Sequence, residues 1–331
     1  MSELAASSST SEAASVSDGS AAIRLHGVRV AYDDASSDVH TWVETQLGAP
    51  VVHVTPRTGG MSPAVAASVR GANGARAFVK AVSASINPET PSHFRHEIEV
   101  LSRLAPAPYR ADLLGTYDDG DWVAVLLEDI EGDHPQWGDD DHKAGVLEAV
   151  QAQTRELTPA PDLGVTATAV SGFDKYLAAF EAPAEREIGA LPQWVRQDLT
   201  GVREILFNTR AGLIGDTFCH WDIRHDNILM RRGTGQPVLL DWGMSRLGPL
   251  WGDTMCLGLE WVETPLFDEM IASLNLQLTA ERDVTGFLTG LGCYSAMMST
   301  QPAPMGLPNL PCFRAELARR TLEGAQRRLH A

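Results

Sequence analysis

The sequence predicts an α+β protein in two parts, a small antiparallel β-sheet followed by a mainly helical half. Three observations predict it. Strand-like segments joined by turns rich in Gly and Asp fill residues 51–127. From His142 onward apolar residues recur at helical spacing, with Pro and Gly between the runs. Inside that helical half lies a β-hairpin, Phe218 to Gly243, whose strand ends carry two acids and an amide.

Residues 1–21 are rich in Ser and Ala with scattered acids. They bury too little apolar surface to offset ordering and are expected to form a disordered tail. The sheet part is expected over residues 22–129 and the helical part over 130–331. Asp38 to Leu47 predicts a short helix stopped by Gly48. Val51 to Thr58 alternates as a strand, Gly59-Gly60-Met61-Ser62-Pro63 forms a loop, and Val65 to Arg70 returns. Such a loop can lay backbone amides over anionic oxygens, and it can also be an ordinary hairpin turn. Ala77 to Val82 is a third strand with Lys80 in its middle. A lysine in an apolar strand is either paired or guards a sheet edge.

Pro91 to Leu104 predicts a helix with Ser92 as N-cap. Phe94, Ile98 and Leu101 form its buried stripe; Glu97 lies beside that stripe and Glu99 points away. Glu97 is therefore the better partner for Lys80, the alternative being a surface salt bridge of little worth. Leu113 to Tyr117 and Trp122 to Leu127 are strands joined by Asp118-Asp119-Gly120. Glu128-Asp129-Ile130-Glu131-Gly132 breaks the pattern. Helices are predicted from His142 (capped by Asp141) to Leu157, from Phe173 to Glu181, and from Pro192 to Leu213. Three more follow, over Thr254–Trp261, Glu281–Ser299 and Phe313–Leu329. The arginines of the last (Arg314, Arg319, Arg320, Arg327, Arg328) read as a solvated face.

The hairpin carries the chemistry. His220, Asp222 and Asn227 spell H-x-D-x-x-x-x-N, ahead of strand Ile228 to Met230, a turn at Gly233 and Gly235, and strand Val238 to Leu240 ending in Asp241-Trp242-Gly243. Chance would produce the first pattern on the order of 0.01 times in a chain of this length. Phosphoryl transfer from a nucleotide needs such a set: an Asp to accept the proton of an attacking hydroxyl, and an Asn and a second Asp to hold magnesium on the phosphates. Carboxylate and amide oxygens are hard ligands that suit magnesium. These roles fall to Asp222, Asn227 and Asp241. A transition-metal site from Cys219, His220 and His225 lacks the usual ligand spacing.

At these residues the chain resembles the aminoglycoside phosphotransferase family, a small-molecule branch of the bilobal protein-kinase-like fold. Trp221 and Trp242 stand where protein kinases usually carry Arg and Phe, and no A-P-E follows. The resemblance implies more roles. Gly59, Gly60 and Ser62 match the family's G-G-x-S-N phosphate loop, with Pro63 where Asn is common. Lys80 would contact the nucleotide phosphates and pair with Glu97. Glu128, Asp129 and Ile130 would form the hinge that meets the adenine. Asp253, in Gly248-Pro249-Leu250-Trp251-Gly252-Asp253, would brace the catalytic loop, although Asp is also a favoured N-cap for the helix that follows. His220 is expected to pack under that loop, with Arg224 and Asp226 supporting it.

Composition bounds the partners. Of 331 residues, 43 are acidic and 26 basic, a formal net charge of −17 that argues against nucleic acid. It suits a cationic acceptor and also simply aids solubility. Cys219, Cys256, Cys293 and Cys312 are widely spaced and read as buried thiols of a reducing cytoplasm. No stretch is apolar enough to span a membrane, and the start carries no secretory pattern. The expectation is an ATP- and Mg2+-dependent kinase acting on a hydroxyl of a small molecule, with amino-sugars and amino-alcohols among the candidates. Asp139, Asp140, Glu260, Glu263 and Asp268 are acids that could bind an amino-sugar or simply be solvated. A non-catalytic nucleotide-binding module and a protein kinase are the alternatives. The oligomeric state is not legible.

Overall fold

The structure, a computed structural model, describes residues 27–57 and 59–330; the expected tail over 1–21 lies outside them. Helix α1 (Ser37–Leu47) is capped by the Ser36 hydroxyl and ends at Gly48, whose φ of 69° needs a residue without a side chain. Strands β1 (Val51–Pro56), β2 (Val65–Gly71) and β3 (Arg76–Ser83) follow, then α2 (Thr90–Leu101), β4 (Leu113–Asp118) and β5 (Trp122–Leu127). The five strands form an antiparallel sheet in the order β1-β2-β3-β5-β4.

Alternation along β3 sets up the site. Ala77, Val79 and Ala81 join Val39 and Val43 of α1 on one side of the sheet. Phe78, Lys80 and Val82 therefore face the other side, where α2 supplies Phe94, Val100 and Leu101. Lys80 is held in register opposite Ala66 and Val125, inside the sheet and not at its edge. Helix α2 begins at Thr90, ahead of the expected cap Ser92, which is not its cap. Asn87 Oδ1 instead accepts from the Glu89 and Thr90 N–H groups and the Thr90 hydroxyl.

The second half holds β6 (Gly132–Asp133), α3 (Asp140–Glu156), α4 (Ala169–Glu181), α5 (Glu185–Ala190), α6 (Gln193–Gln197), α7 (Leu199–Gly212), β7 (Thr217–Cys219), β8 (Ile228–Arg231) and β9 (Pro237–Leu239). After these come β10 (Arg246–Gly248), α8 (Gly252–Gly258), α9 (Pro265–Ala272), α10 (Leu278–Ser299) and α11 (Leu310–Leu329). The cap of α3 is Asp139, which accepts from the Asp141 and His142 N–H groups, two residues ahead of the expected Asp141. Buried α10 packs against α7 so closely that a Cβ on Gly286 would stand 1.8 Å from Thr209 Oγ1. Helix α9 and the β7–β10 pair were not expected.

Two further readings change. The arginines of α11 are not a solvated face. Arg319 and Arg320 pair with Glu263, and Arg327 and Arg328 with Asp268, which fastens α11 to the start of α9 and the turn before it. Of the four cysteines, Cys219, Cys256 and Cys293 are buried thiols but Cys312 is exposed. No helix among the described residues is long and apolar enough to cross a membrane.

Candidate active site

The hairpin forms as read. Ile228 pairs with Leu239, and the Leu240 N–H donates to Asn227 O at 2.8 Å, so Asn227 and Asp241 hang from adjacent strand ends. Asp241 sits at φ 67°, a left-handed backbone that few residues other than Gly adopt and that marks functional sites. On the sheet side, Lys80 Nζ lies 2.6 Å from Glu97 Oε2 and 3.2 Å from Asp241 Oδ1. Glu97 is fully buried, and its Oε1 accepts the Trp242 N–H at 3.2 Å. The predicted Lys–Glu pair thus reaches across to the second strand end and fixes Asp241.

Burial alone would lower the Lys80 pKa, but Asp241 and Glu97 outweigh it and hold the ammonium charged. Burial also opposes ionisation of Asp241, yet the Lys80 charge and hydrogen bond hold that carboxyl down to about 2. Asp222 behaves in the opposite way. Burial pushes its carboxyl up to about 6, against the nearby Arg224 charge. Its Oδ2 accepts from Asn227 Nδ2 at 2.9 Å, and Oδ1 is 3.3 Å from Arg224 Nε. An acid poised near 6 is a carboxylate at neutral pH that still takes up a proton readily.

The loop between β7 and β8, which carries Asp222, is braced from below. Asp253 Oδ2 accepts the His220 N–H at 2.9 Å and Gln153 Nε2 at 2.9 Å, and Oδ1 accepts the Trp221 N–H at 2.8 Å. Trp221 is itself in a left-handed conformation, φ 65°. Helix α8 has no side-chain cap bond, so of the two readings of Asp253 the geometry has the brace. Burial pushes the Asp253 carboxyl up to about 6, with the three donors opposing. His220 is fully buried, and burial pushes its imidazole down to about 4. Its Nε2 meets Leu240 O at 2.9 Å and its Nδ1 lies 3.3 Å from the Asp222 N–H, so it is a neutral spacer between the two strand ends.

The remaining sequence candidates divide. Gly60 takes φ 90° in the loop between β1 and β2, and Gly59 lies in open space where a ligand can approach the backbone. Ser62 offers its carbonyl to Arg29 Nη1 at 2.7 Å. The hinge side chains are engaged with protein: Glu128 with Arg231, Asp129 with Ser68 and Arg76, and Ile130 against Ala111 and Val238. The Glu128 N–H is taken by Asp112 O at 2.8 Å. Among the described residues no group of three or more His, Cys, Asp or Glu is placed to hold a metal. A pair such as Asn227 and Asp241 fits an ion that keeps water and phosphate oxygens in its shell. Asn227 is suited to it, because its Nδ2 is turned to the Asp222 backbone and carboxylate and leaves Oδ1 as the ligand.

Beside Asp222 opens a cavity of about 420 Å³, lined among others by Tyr176, Trp221, Phe287, Tyr294 and Phe313. These come from α4, the catalytic loop, α10 and α11, too far apart in sequence to be read as one motif. Arg29 and Arg246 are the other residues that the sequence did not single out. No local pattern marks Arg29, and β10, which carries Arg246, is only three residues long.

A profile described as phosphotransferase enzyme family matches residues 53–286. The chain belongs to that family. It is a small-molecule kinase, and the kinase-like architecture is shared with solved structures of low identity. A choline kinase, LicA from Streptococcus pneumoniae, superposes with a TM-score of 0.57 at 16% identity, over 88% of this chain and 100% of that one. Aminoglycoside phosphotransferase APH(4)-Ia gives 0.59 at 10% identity, over 89% and 99%. A Plasmodium vivax ethanolamine kinase gives 0.50 at 11% identity, over 81% and 82%. No curated protein matches the chain.

Proposed function

We propose that this family member moves the γ-phosphate of ATP to a hydroxyl of a small molecule bound in the aromatic cavity. The observation that carries the reading is placement: Asp222 lines that cavity while the Asn227, Asp241 and Lys80 groups converge behind it. The nucleotide lies between the sheet lobe (22–129) and the helical lobe (130–331). Its adenine meets the backbone of Glu128 to Ile130, and its phosphates lie under Gly59, Gly60 and Ser62. Asn227 and Asp241 would hold magnesium, which neutralises charge on the phosphates when bound. Lys80 adds a fixed positive charge there, kept in place by Glu97. Asp222 accepts the hydroxyl proton as the oxygen attacks phosphorus, and Asn227 and Arg224 aim its carboxylate. Catalysis rests on positioning and charge, so few side chains suffice.

The cavity speaks to the acceptor. Of the acids that could meet an amino-sugar, Asp139 caps α3, Asp140 pairs with Lys143, and Glu263 and Asp268 pair with α11. Glu260 alone of the five lines the cavity. Two cations there, Lys175 and Arg246, have no carboxylate within ion-pair distance among the described residues, and Arg246 lies 5.7 Å over the Trp221 ring. That arrangement favours a hydroxylated acceptor with an apolar body and an acidic group. A cationic amino-alcohol is the second reading, favoured by Glu260 and the aromatic walls.

The test is ADP release from Mg-ATP across hydroxylated aromatic acids, their amides, amino-alcohols and aminoglycosides, with Asp222→Asn as control. Release that depends on an acceptor and vanishes in the variant supports a kinase. Tight nucleotide binding without turnover by any acceptor leaves a non-catalytic binding module, and transfer to a generic protein substrate leaves a protein kinase.

A further inference from the structure

Residues 27–31 lie outside the family-matched span, yet they run against the phosphate loop. Val30 bridges to Val65 of β2, and the Gly27 N–H donates to Gly60 O at 3.2 Å. On the other side the Val28 N–H donates to Gly306 O at 2.9 Å, in the turn between α10 and α11. The fit is tight: a Cβ on Gly27 would stand 2.1 Å from Met61 O. This strap carries Arg29 beneath the loop. Its Nη1 bonds Ser62 O at 2.7 Å, and the position of a Gly60 Cβ is 2.5 Å from Nη2.

The guanidinium is out of balance where it lies. Its Nε is buried without a hydrogen-bond partner, and it makes no ion pair among the described residues. The negative charges acting on it most are Asp241 and Asp226, both beyond ion-pair distance. Those are the metal-side acid and an acid that lines the acceptor cavity. A half-buried guanidinium with a buried, unpartnered Nε and no acid beside it is costly unless an anion completes it, and Arg presents a planar fork that matches phosphate oxygens.

We propose that Arg29 is a phosphate-binding residue, contacting the terminal phosphate of the nucleotide from the glycine-loop side, opposite Lys80. The inference rests on the nucleotide reading above. It places a second fixed cation near the acceptor end of the phosphate chain, supplied by a segment that the family profile does not cover.

The test compares Mg-AMP-PNP with Mg-ADP by calorimetry in the wild type, Arg29→Ala and Arg29→Lys, with melting curves to verify folding. Binding of neither nucleotide to the wild type would sink the nucleotide reading itself. Given wild-type binding, Arg29→Ala is expected to weaken AMP-PNP about tenfold and ADP less than about threefold, the scale of one charge-assisted contact. Arg29→Lys should show the same order with a smaller gap, and it decides the matter if Arg29→Ala does not fold. Equal losses for the two nucleotides would mean that Arg29 merely shapes the loop through Ser62, and no loss for either would mean that it does not meet phosphate. Each of those results overturns the proposal.

Discussion

The phosphate side and the acceptor side of this site are built on different principles. On the phosphate side, Arg29 aside, the groups that would do the chemistry are held by one another: Lys80 by Glu97 and Asp241, Asp222 by Asn227 and Arg224, and the loop backbone by Asp253. On the acceptor side the walls are rings from separate helices, and two cations stand without acid partners among the described residues. In a network of mutual hydrogen bonds a change in one member alters the geometry of its partners, whereas an apolar wall tolerates changes of shape. In the proposed function the first side sets the reaction and the second sets what is offered to it.

That contrast can be broken by experiment. Asp222→Asn should lower kcat about 10³-fold with nucleotide affinity unchanged. The same variant should melt higher, because the burial that pushes the Asp222 carboxyl to about 6 disfavours its charged form; the gain is on the order of 1–2 kcal/mol. A lower melting temperature would show that the Asn227 and Arg224 contacts outweigh burial. Asp253→Leu strands the His220 and Trp221 N–H groups and the Gln153 amide, and should cost about 3 kcal/mol in chemical denaturation. Retained stability would mean that the brace is dispensable.

Acceptor-side changes should be milder. Tyr294→Ala should raise the acceptor KM about tenfold and leave ATP affinity alone; a fall in ATP affinity would couple the two sides. The smallest effect is pH. With Asp222 as the proposed base, kcat should fall about twofold from its plateau at pH 6 as the carboxyl is protonated. Stability runs the other way. Asp222 and Asp253 have folded pKa values raised above those of the unfolded chain, so the folded state binds more protons between about pH 4 and 6, and stability declines as pH rises through that window. Activity that stays flat down to pH 5 would remove Asp222 as the base.

Much of the phosphate side could be read from the chain, because its chemistry lies in contiguous spacing. H-x-D-x-x-x-x-N sits on one loop, Asp241 ends the next strand, and strand and helix periodicity put Lys80 and Glu97 on facing sides. What escaped has no such period. Strands β7 and β10 are three residues each, too short to alternate visibly. The arginines of α11 looked solvated because Glu263 and Asp268 are about 55–60 residues away in sequence. Asn87 took the capping role expected of Ser92 because it reaches back from before the helix. The rings of the acceptor walls come from three helices and a loop, and only their packing gathers them.

Cys312 has a practical side. It is the exposed thiol of the four, one residue before Phe313, which lines the acceptor cavity. Burial pushes the Cys219, Cys256 and Cys293 thiols well up, so alkylating reagents at neutral pH find the α11 position first. A polarity-sensitive fluorophore attached there would turn arrival of an acceptor into a colour change, before any phosphate moves.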